Sequence, residues 1–269
     1  MTDATKQKIA NEFHFSETTF VLPKKEPHNG YKVRVFTPAT EVPFAGHPTL
    51  GTAYIINLFL AKQPTKVVIL NLKVGEIPVT FEDPKDDSAI LWMQQAQPIF
   101  CRKFAIDVFE DLLGLSASDF DIAYPIQEVS TGLPFIIVPL KTLDSVRRAR
   151  VNPKFLPKVT KEMQAGILVF APQTYHKENQ LNARVFVDVF GIPEDPATGS
   201  GNGCLAAYLT NYRYFGTSNI NIRVEQGFEI NRPSILHLKT ETFKEETTVE
   251  VGGCVQLVAK GELMEPSHV

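Results

Sequence analysis

Two short stretches of the sequence place acids and small residues directly before an apolar run. "EVPFAGHPTLGTAYIINLFL" begins at Glu41 and carries His47, and "EDPATGSGNGCLAAYL" carries Asp195 and Ser200. A carboxylate in a partly dry cleft has a raised pKa, so it can donate or accept a proton near neutral pH. Glu41 and Asp195 are therefore candidates for acid–base chemistry on one substrate, with His47 and Ser200 placed to hydrogen-bond it.

Each apolar run is predicted to form a helix that begins at a glycine. Gly46 precedes the first run, and Gly199 and Gly201 precede the second. A helix start carries unpaired N–H groups and the positive end of the helix dipole, so it binds anions readily. Glycine also lets a ligand approach the backbone closely. We therefore expect the N–H groups of Gly46–His47 and Gly199–Ser200 to hold the carboxylate of a small ligand.

A single acid before a helix has a simpler interpretation. Such an acid is typical of a helix cap, and a histidine at this place more often packs or caps than reacts. For Glu41 or His47 alone, this structural interpretation is favoured. However, the motif "RVF" occurs twice, and each copy is followed by an acid, a proline, a glycine and an apolar run. This internal duplication favours a functional role for Glu41 and Asp195.

The composition excludes several classes of function. The chain has 269 residues and a net charge of −3, so we expect no nucleic-acid partner. Its 3 cysteines are widely spaced and form no CxxC pair, which argues against a disulfide framework and a structural zinc site. The longest apolar run is too short to span a membrane, and no signal peptide is visible. We therefore expect a cytoplasmic protein without a membrane partner.

Motifs for bound cofactors are weak or missing. The sequence has neither an HExxH motif nor a P-loop, and its histidines are scattered, so no metal site is expected. Gly199, Gly201 and Gly203 spell GxGxG, a weak echo of a dinucleotide-binding loop, but no βαβ unit opens there. We expect a reaction that needs no cofactor.

The elements that must position these residues also occur in a repeated order. Strands, a glycine-opened helix, more strands and a helix over 104–115 are followed by a second set of strands and helices. We place a first half at residues 1–115 and a second half at residues 116–257. A C-terminal strand near 258–269 could return to the first half.

Several segments, taken in order, resemble the PhzF-like family, the phenazine-biosynthesis isomerase group with the diaminopimelate epimerase fold. They cover nearly the whole chain and read "NEFHFSETTF", "RVFTPATEVPFAGHPTLGTA", "STGLPF", "EDPATGSGNGCLAAYL", "EQGFEINRPS" and "VGGCVQLVAKGEL". The resemblance implies an α+β fold of two similar epimerase-like halves. Each half would be a curled, mostly antiparallel sheet around a central helix.

The resemblance also implies an activity. The family's best known reaction is a cofactor-free isomerisation of a cyclic dihydro-hydroxyanthranilate, in which a glutamate moves a proton between ring carbons. We match that glutamate to Glu41, and the family's site aspartate and serine to Asp195 and Ser200. Related racemases use two cysteines whose places are taken here by Ala45 and the pair Ala197–Thr198. Two-thiol racemisation is therefore not expected.

Two features of the sequence differ from the family pattern. The phenazine enzymes carry a further site histidine about thirty residues after the glutamate, and counted from Glu41 this chain has "VVILNLKVG" there. The phenazine substrate therefore does not follow from the resemblance. Family members also usually begin with a strand and a Gly-Asn-Pro loop, whereas this sequence starts at the following helix. We expect an altered edge of the first sheet, covered in a homodimer.

The sequence thus predicts a cofactor-independent isomerase of a small carboxylate-bearing metabolite that works through Glu41. One alternative is a non-catalytic binding protein that kept the fold. A weaker alternative is a nucleotide-binding oxidoreductase that uses the GxGxG stretch.

Overall fold

The protein is described here by a computed structural model. It describes residues 1–25, 30–86, 88–160, 165–188, 192–244 and 246–263. The helices are α1 (Asp3–Phe13), α2 (Gly46–Phe59), α3 (Ile106–Leu113), α4 (Leu143–Arg148), α5 (Pro157–Thr160) and α6 (Gly199–Asn211). None of the helices within these ranges is long and apolar enough to cross a membrane.

The strands account for most of the remaining chain. They are β1 (Thr18–Lys25), β2 (Tyr31–Phe36), β3 (Glu41–Val42), β4 (Val67–Leu72), β5 (Gly75–Phe81), β6 (Leu91–Gln94), β7 (Ile99–Phe104), β8 (Ile126–Ser130), β9 (Pro134–Pro139), β10 (Gly166–Ala171), β11 (Leu181–Val187), β12 (Ile192–Asp195), β13 (Ile220–Gln226), β14 (Ser234–Phe243) and β15 (Glu246–Gly253). In the described part of the chain these strands connect into one sheet, which follows the order β1-β2-β4-β5-β6-β15-β14-β13-β11-β10-β9-β8-β7. The predicted α+β class is confirmed.

The first half of the molecule curls its strands around α2. Leu50, Ala53 and Ile56 repeat every three residues and are buried against β2, β4, β5 and β6. Strand β4 alternates buried and less buried residues, which is the pattern of a sheet with one face on a core. The helix in the centre of this half is therefore the one that begins at Gly46.

The second half encloses α6 more completely. Every residue from Gly201 to Thr210 is buried, and the helix packs against strands β8 to β11 and β13 to β15. A further apolar cluster lies on the other face of these strands and includes residues of α3, α4 and α5. Strands β10 and β11 are consequently buried along their whole length, and β9 and β10 run parallel. This half has two cores, whereas the first half has one.

The boundary between the halves differs from the predicted division at 115 and 116. Strand β7 pairs with β8, and α3 packs in the outer core of the second half through Phe109 and Leu112. The change of half therefore falls between β6 and β7, because the pattern that predicts helix α3 says nothing about which core it joins. Residues 264–269 of the predicted C-terminal strand lie outside the described residues.

The described part of the C-terminal segment does return to the first half, but as an irregular segment. Residues 254–263 have no strand assignment. Val255 packs against the core around α2, and the Lys260 ammonium lies 4.6 Å from the centre of the Phe59 ring. Cys254 Sγ donates to the Ser88 carbonyl at 3.4 Å.

Candidate active site

The starts of α2 and α6 face each other where the two halves meet. A Cβ atom added to Gly46 would lie 3.5 Å from the Gly199 Cα atom and 3.8 Å from the Ser200 nitrogen. Neither helix has a side-chain cap at its N-terminus, and neither has an acid in its first turn. The positive ends of both helix dipoles are therefore left without a protein carboxylate as cap, which suits an anionic ligand.

A carboxylate that sequence reasoning did not select lies beside this junction. Glu17 directly precedes β1, and this strand is fastened to α2 by a 2.8 Å hydrogen bond from the Thr52 hydroxyl to the Thr19 hydroxyl. Glu17 Oε2 lies 3.0 Å from His47 Nε2. This oxygen is buried, and among the described residues His47 is the group that lies against it. The Glu17 side chain is 16% exposed and the His47 side chain 54% exposed.

The charges around His47 come from both halves of the molecule. Partial removal of the ring from water would lower its pKa, but the Glu17 and Asp195 carboxylates outweigh this effect. The pKa of His47 is therefore raised above its ordinary value, and Arg232 opposes the shift. The imidazole thus carries more positive charge near neutral pH than a free histidine would, beside two carboxylates.

Asp195 is held in place by a buried polar network. Its Oδ2 atom accepts a 2.5 Å hydrogen bond from the Thr198 hydroxyl, and its carbonyl accepts a 2.6 Å bond from Gln226 Nε2. The Gln226 Oε1 atom accepts in turn from the Asn202 amide at 2.8 Å and from the Thr198 N–H at 3.2 Å. Gln226 and Asn202 are fully buried. These shared donors and acceptors tie the segment from Asp195 to Thr198 to Gln226 of β13.

Ser200 and Gly201 have different surroundings at the start of α6. The Ser200 hydroxyl makes no hydrogen bond with the residues that the structure describes, and its nitrogen faces Gly46. Gly201 is buried, and a Cβ atom there would lie 3.3 Å from the Phe135 ring. Gly201 therefore serves the packing of the helix, and the contact of Ser200 with a ligand stays a prediction.

Glu41 has a different environment from the one that its motif predicts. Arg34 donates to both of its carboxylate oxygens at 2.7 Å, and Lys73 Nζ lies 2.6 Å from Oε2. The hydrogen bonds from Arg34 lower the pKa of Glu41 to about 2, against the effect of burial. A carboxylate this acidic is a weak base near neutral pH. Its assignment to proton transfer stays a prediction, and this geometry disfavours it.

The second half contains the counterpart of this ion pair. Arg184 donates to both oxygens of Glu194, at 2.8 Å and 2.7 Å. The arginine of each "RVF" motif therefore binds the first acid that follows it in a short side strand. The counterpart of Glu41 is Glu194, and Asp195 stands one position beyond the repeat.

A cavity of about 350 Å³ opens beside the two helix starts. Its lining comes from both helix starts, from β6 and from the two strands β14 and β15. The lining residues are Gly46, His47, Leu50, Met93, Ala197, Gly199, Ser234, Ile235, Leu236, His237, Val251, Gly252, Gly253, Cys254 and Val255. A separate cavity of about 370 Å³ lies at the other end of α2, near Lys62 and Asp86. The first cavity adjoins the two helix starts, but Glu17, Asp195 and Ser200 are not among the residues that line it.

The structure brings together the two helix starts, with His47, Asp195 and Ser200 at or beside them, and their roles stay predictions. Glu17, which lies against His47, was not selected from the sequence. A signal for Glu17 is present, because His47 stands thirty residues after it in the sequence. The family's glutamate and its further histidine are expected at this spacing. Counted from Glu41, the same spacing does not lead to His47. The positioning residues Asn202 and Gln226 give no comparable local signal.

Comparison with known families and proteins gives a consistent result. A family model described as phenazine biosynthesis-like protein matches residues 1–261. An uncharacterized isomerase from Pasteurella multocida is 33% identical over 269 residues, which cover 99% of this chain and 86% of the relative. A trans-2,3-dihydro-3-hydroxyanthranilate isomerase from Pseudomonas aeruginosa is 31% identical and covers 95% of this chain and 86% of the relative.

Solved structures extend the comparison to the fold. A phenazine biosynthesis protein of the PhzF family from Bacillus anthracis has a TM-score of 0.85 and is 29% identical, covering 94% of this chain and 86% of the other. A probable proline racemase from Agrobacterium radiobacter has a TM-score of 0.58 at 11% identity, covering 96% and 83%. The second similarity concerns the fold alone.

Proposed function

Because the chain belongs to the phenazine biosynthesis-like family, which includes proteins named isomerases, we propose that it is a cofactor-independent isomerase of a small carboxylate-bearing metabolite. The observation that carries the proposal is the junction of the α2 and α6 starts, with the pair Glu17–His47 beside it. The substrate carboxylate binds the free N–H groups of Gly46–His47 and Gly199–Ser200.

Glu17 is the group that carries the proton in this proposal. Its carboxylate removes a proton from one carbon of the bound substrate, and the resulting acid returns the proton to another carbon. No atoms are gained or lost, so the reaction needs no co-reactant. His47 is the cationic neighbour of Glu17, and Asp195 orients the substrate from the opposite half. The geometry supports Glu17 over Glu41 because only one cation lies against Glu17 in the described contacts, whereas Arg34 and Lys73 both bind Glu41.

The substrate of one relative is a candidate for this chain. The Pseudomonas aeruginosa relative is named for trans-2,3-dihydro-3-hydroxyanthranilate, a cyclic carboxylic acid. With Glu17 as the proton carrier, His47 supplies the further histidine that appeared to be missing. We therefore include this compound in a screen of small cyclic carboxylic acids for exchange of carbon-bound hydrogen with deuterium oxide.

The decisive experiment compares Glu17→Gln with Glu41→Gln. Each substitution keeps the size of the side chain and removes its acid. We expect Glu17→Gln to lower deuterium exchange or turnover by about 10²–10⁴-fold, which is the usual contribution of a general acid–base group. Glu41→Gln should keep the rate per folded molecule within a few fold and lower the melting temperature instead. The reverse pattern would return the role to Glu41 and refute the present proposal.

The non-catalytic alternative makes a different prediction for the wild-type protein. A binding protein would hold carboxylic acids at the helix starts without exchanging their protons. Binding measured by calorimetry, together with no exchange of any bound compound, would favour this alternative. One observation favours this non-catalytic alternative: the uncapped helix starts would suit an anion whether or not a reaction follows.

We also expect the protein to form a homodimer. Strand β1 ends the strand order in the described sheet, so one of its edges is open for pairing. Open edges invite pairing with another chain. Light scattering should give twice the mass of the 30.0 kDa chain, and a monomer at micromolar concentration would contradict this expectation.

A further inference from the structure

The strand order of the sheet is almost symmetric about the contact between β6 and β15. On one side it continues through β5, β4, β2 and β1, and on the other through β14, β13, β11 and β10. The two series also agree in direction, because β1 and β10 each run antiparallel to the strand that carries an "RVF" motif. On the second side three more strands follow, β9, β8 and β7. In the described residues, no strand continues the sheet beyond β1.

The C-terminal segment takes the place of β7 in the first half. Strand β7 follows β6 and crosses into the second half, just as residues 254–263 follow β15 and return to the first half. Lys103 Nζ of β7 lies 5.6 Å from the centre of the Tyr212 ring at the end of α6. Lys260 Nζ lies 4.6 Å from the centre of the Phe59 ring at the end of α2. The positions that correspond to β8 and β9 therefore lie between the C-terminal segment and β1.

In the second half, β8 and β9 cover one face of α6. A Cβ atom at Gly201 would lie 3.3 Å from the Phe135 ring of β9. Further along the helix, Cys204 Sγ donates to a carbonyl of the β8–β9 turn at 3.4 Å, and the Tyr208 hydroxyl donates to the Pro125 carbonyl at 2.7 Å. Strand β10, which pairs with β9, is buried along its whole length.

The matching face of α2 is open. Its residues Pro48, Gly51 and Ile55 correspond to those three residues of α6, and Phe59 lies one turn further on. Nothing outside its own helix lies within 4 Å of a Cβ atom at Gly51, and Phe59 is 43% exposed. None of residues 18–23 in β1 is buried. We call this space the strand gap, which is bounded by the free edge of β1, these four residues of α2 and the C-terminal segment.

The strand gap adjoins the candidate active site. In the pairing with the "RVF" strands, Glu17 corresponds to Gly166. Phe135 of β9 pairs with Gly166, and its ring also lies against Gly201 at the start of α6. A residue in the place of Phe135 would therefore contact Glu17 and the start of α2. A strand in the gap would complete the wall of the site on the side of the candidate proton carrier.

We propose that the strand gap binds a β-hairpin supplied by another polypeptide, and that this hairpin completes the wall of the candidate site beside Glu17. Its inner strand pairs with β1 in parallel, as β9 pairs with β10. Its face towards α2 is apolar, because Gly51, Ile55 and Phe59 offer no partner to a charged or polar side chain. The binding of the hairpin is independent of the proposed function, and only its effect on catalysis rests on that function.

A second copy of this chain competes for the same edge without filling the gap. Pairing of β1 with β1 of a partner subunit covers the open edge, but it supplies a single strand where the second half has two, β8 and β9. The homodimer expected through this edge is therefore the state of the chain without its hairpin. Binding of the hairpin should convert the dimer into a monomer that carries one hairpin.

A synthetic peptide tests the proposal on the full chain. The probe has the sequence of residues 125–140, which contains β8 and β9, with two lysines added at its end for solubility. It should bind with a dissociation constant below about 1 mM. It should slow hydrogen–deuterium exchange of the backbone amides of residues 18–23, and light scattering should show the 30.0 kDa chain with one peptide.

A control peptide checks that the fit depends on the apolar face. The same peptide with Phe135→Asp should bind at least about 10-fold more weakly, because its charge would be buried against α2 without a partner. Unchanged exchange of residues 18–23 in the presence of the first peptide would overturn the proposal. Equal binding of the two peptides, or a dimer that persists when the peptide is bound, would also overturn it.

Covalent attachment tests the fit without relying on the affinity of a free peptide. Thr2 caps α1 as Thr142 caps α4, since each hydroxyl oxygen accepts from the N–H three residues later. A copy of residues 125–141 inserted between Met1 and Thr2 therefore leads into α1 as the original leads into α4. Attachment raises the effective concentration of the hairpin to about the millimolar range. The fused chain should be monomeric and should protect residues 18–23, and fast exchange there would refute the proposal.

Two substitutions in the full chain locate the binding surface. Gly51→Glu puts a charge into the strand gap and should weaken binding of the peptide at least about 10-fold. Asn221→Glu adds the same charge at an exposed position of β13 and should leave the affinity unchanged within experimental error. Melting temperatures without peptide check that both variants fold. Equal effects of the two substitutions would show that the peptide binds elsewhere.

The failure of this inference is distinguishable from the failure of the proposed function. Saturation with the peptide should raise the rate of substrate deuterium exchange several fold in the wild type and leave Glu17→Gln inactive. If the peptide binds in the gap but no compound exchanges deuterium, the isomerase proposal fails and the docking site stands. If exchange occurs and bound peptide leaves its rate unchanged, the completion of the site by the hairpin is refuted and the isomerase proposal stands.

Discussion

The two arginine–glutamate pairs of the repeated motif occupy equivalent places in the two halves and differ in burial. Arg34 and Glu41 are 16% and 15% exposed, and Asp3 and Lys73 also take part in their ion-pair network. Arg184 is 3% exposed. Each arginine also lies over the phenylalanine two positions further along its strand. The distance from the guanidinium carbon to the ring centre is 5.2 Å for Arg34 and 4.8 Å for Arg184.

The second pair has an additional structural task. Arg184 Nη1 donates to the carbonyls of Val146 and Ala149 at 3.0 Å and 2.7 Å, where α4 ends. Carbonyl groups at the end of a helix lack partners within the helix. The guanidinium therefore caps the C-terminus of α4 and connects this helix to β11. In the first half, Arg34 instead reaches Asp3, the exposed first residue of α1.

The comparison shows what the duplication preserves. Both copies keep a bidentate arginine–carboxylate pair that fixes a short side strand ahead of the central helix. The candidate proton carrier Glu17 lies outside the repeated stretch. Asp195 lies one position after Glu194, the acid that corresponds to Glu41. In this fold the repeat marks the two acids that pair with arginine, Glu41 and Glu194, and the candidate acids for contact with a ligand, Glu17 and Asp195, are not equivalent in the two halves.

Removing the buried arginine should have the largest effect. Arg184→Ala leaves Glu194 without its partner and removes the donors to the end of α4. Loss of one partner from a buried ion pair costs about 3–5 kcal/mol of the free energy of unfolding. Chemical denaturation should show this loss, and Arg184→Lys should recover only part of it because lysine cannot bind two oxygens in a fork. A loss below about 1 kcal/mol would contradict the structural role.

The central helices should differ in their tolerance of alanine. A Cβ atom at Gly203 of α6 would lie 2.9 Å from Gln95 Cγ and 3.0 Å from the Thr131 hydroxyl, whereas nothing lies within 4 Å of one at Gly51 of α2. Gly203→Ala should therefore cost about 1–3 kcal/mol through overpacking. Gly51→Ala should stabilise the protein by about 0.5–1 kcal/mol through helix propensity. Equal effects of the two substitutions in thermal unfolding would show that the halves pack alike.

Substitution of the more exposed arginine should have a smaller effect than substitution of Arg184. Arg34→Ala leaves Glu41 with Lys73 and with access to water, so we expect a cost of about 1–2 kcal/mol. The measurement is the same denaturation experiment. A cost as large as that of Arg184→Ala would remove the proposed difference between the halves.

The contribution of the Arg34–Glu41 ion pair to the stability of the fold should depend on pH. The pKa of Glu41 is lowered from 4.5 to about 2 by Arg34, so the pair stabilises the fold fully above about pH 4.5. This stabilisation is lost as the pH falls towards 2, because the carboxylate then binds a proton. The difference in unfolding free energy between the wild type and Glu41→Gln should therefore be greatest near neutral pH and shrink on acidification. A difference that is constant from pH 7 to pH 3 would contradict the assignment.

Local sequence patterns were sufficient for the parts of the fold that depend on neighbours along the chain. The apolar runs after Gly46 and Gly199 form α2 and α6 as predicted, because a run without a polar face can only be buried. Strand β7 shows no regular alternation of exposure and its pairing with β8 shifts register between Phe100 and Lys103, so no local pattern predicts it. The duplicated motif predicted two helix starts that face each other, which the structure shows, whereas their role as the site stays a prediction.

Residues that act across the fold were harder to predict. Glu17 stands next to an ordinary strand pattern, and its meaning depends on His47 in a different element. Gln226 and Asn202 look like unremarkable polar residues until their side chains meet Thr198 in the interior. Such contacts are set by tertiary packing, so no spacing within one element announces them.

The pairing of β6 with β15 also bears on how the chain is made. Trp92 pairs with Gly252, so the first half's sheet cannot close until a segment about 150 residues later leaves the ribosome. At 5–20 residues per second this takes roughly 8–30 s, during which Leu91 and Met93 lack their final neighbours. We expect nascent chains that end before β15 to expose the first half to proteases and to bind chaperones. Limited proteolysis of a released chain truncated after residue 240, beside the full chain, would test this, since equal protease resistance of their first halves would contradict it.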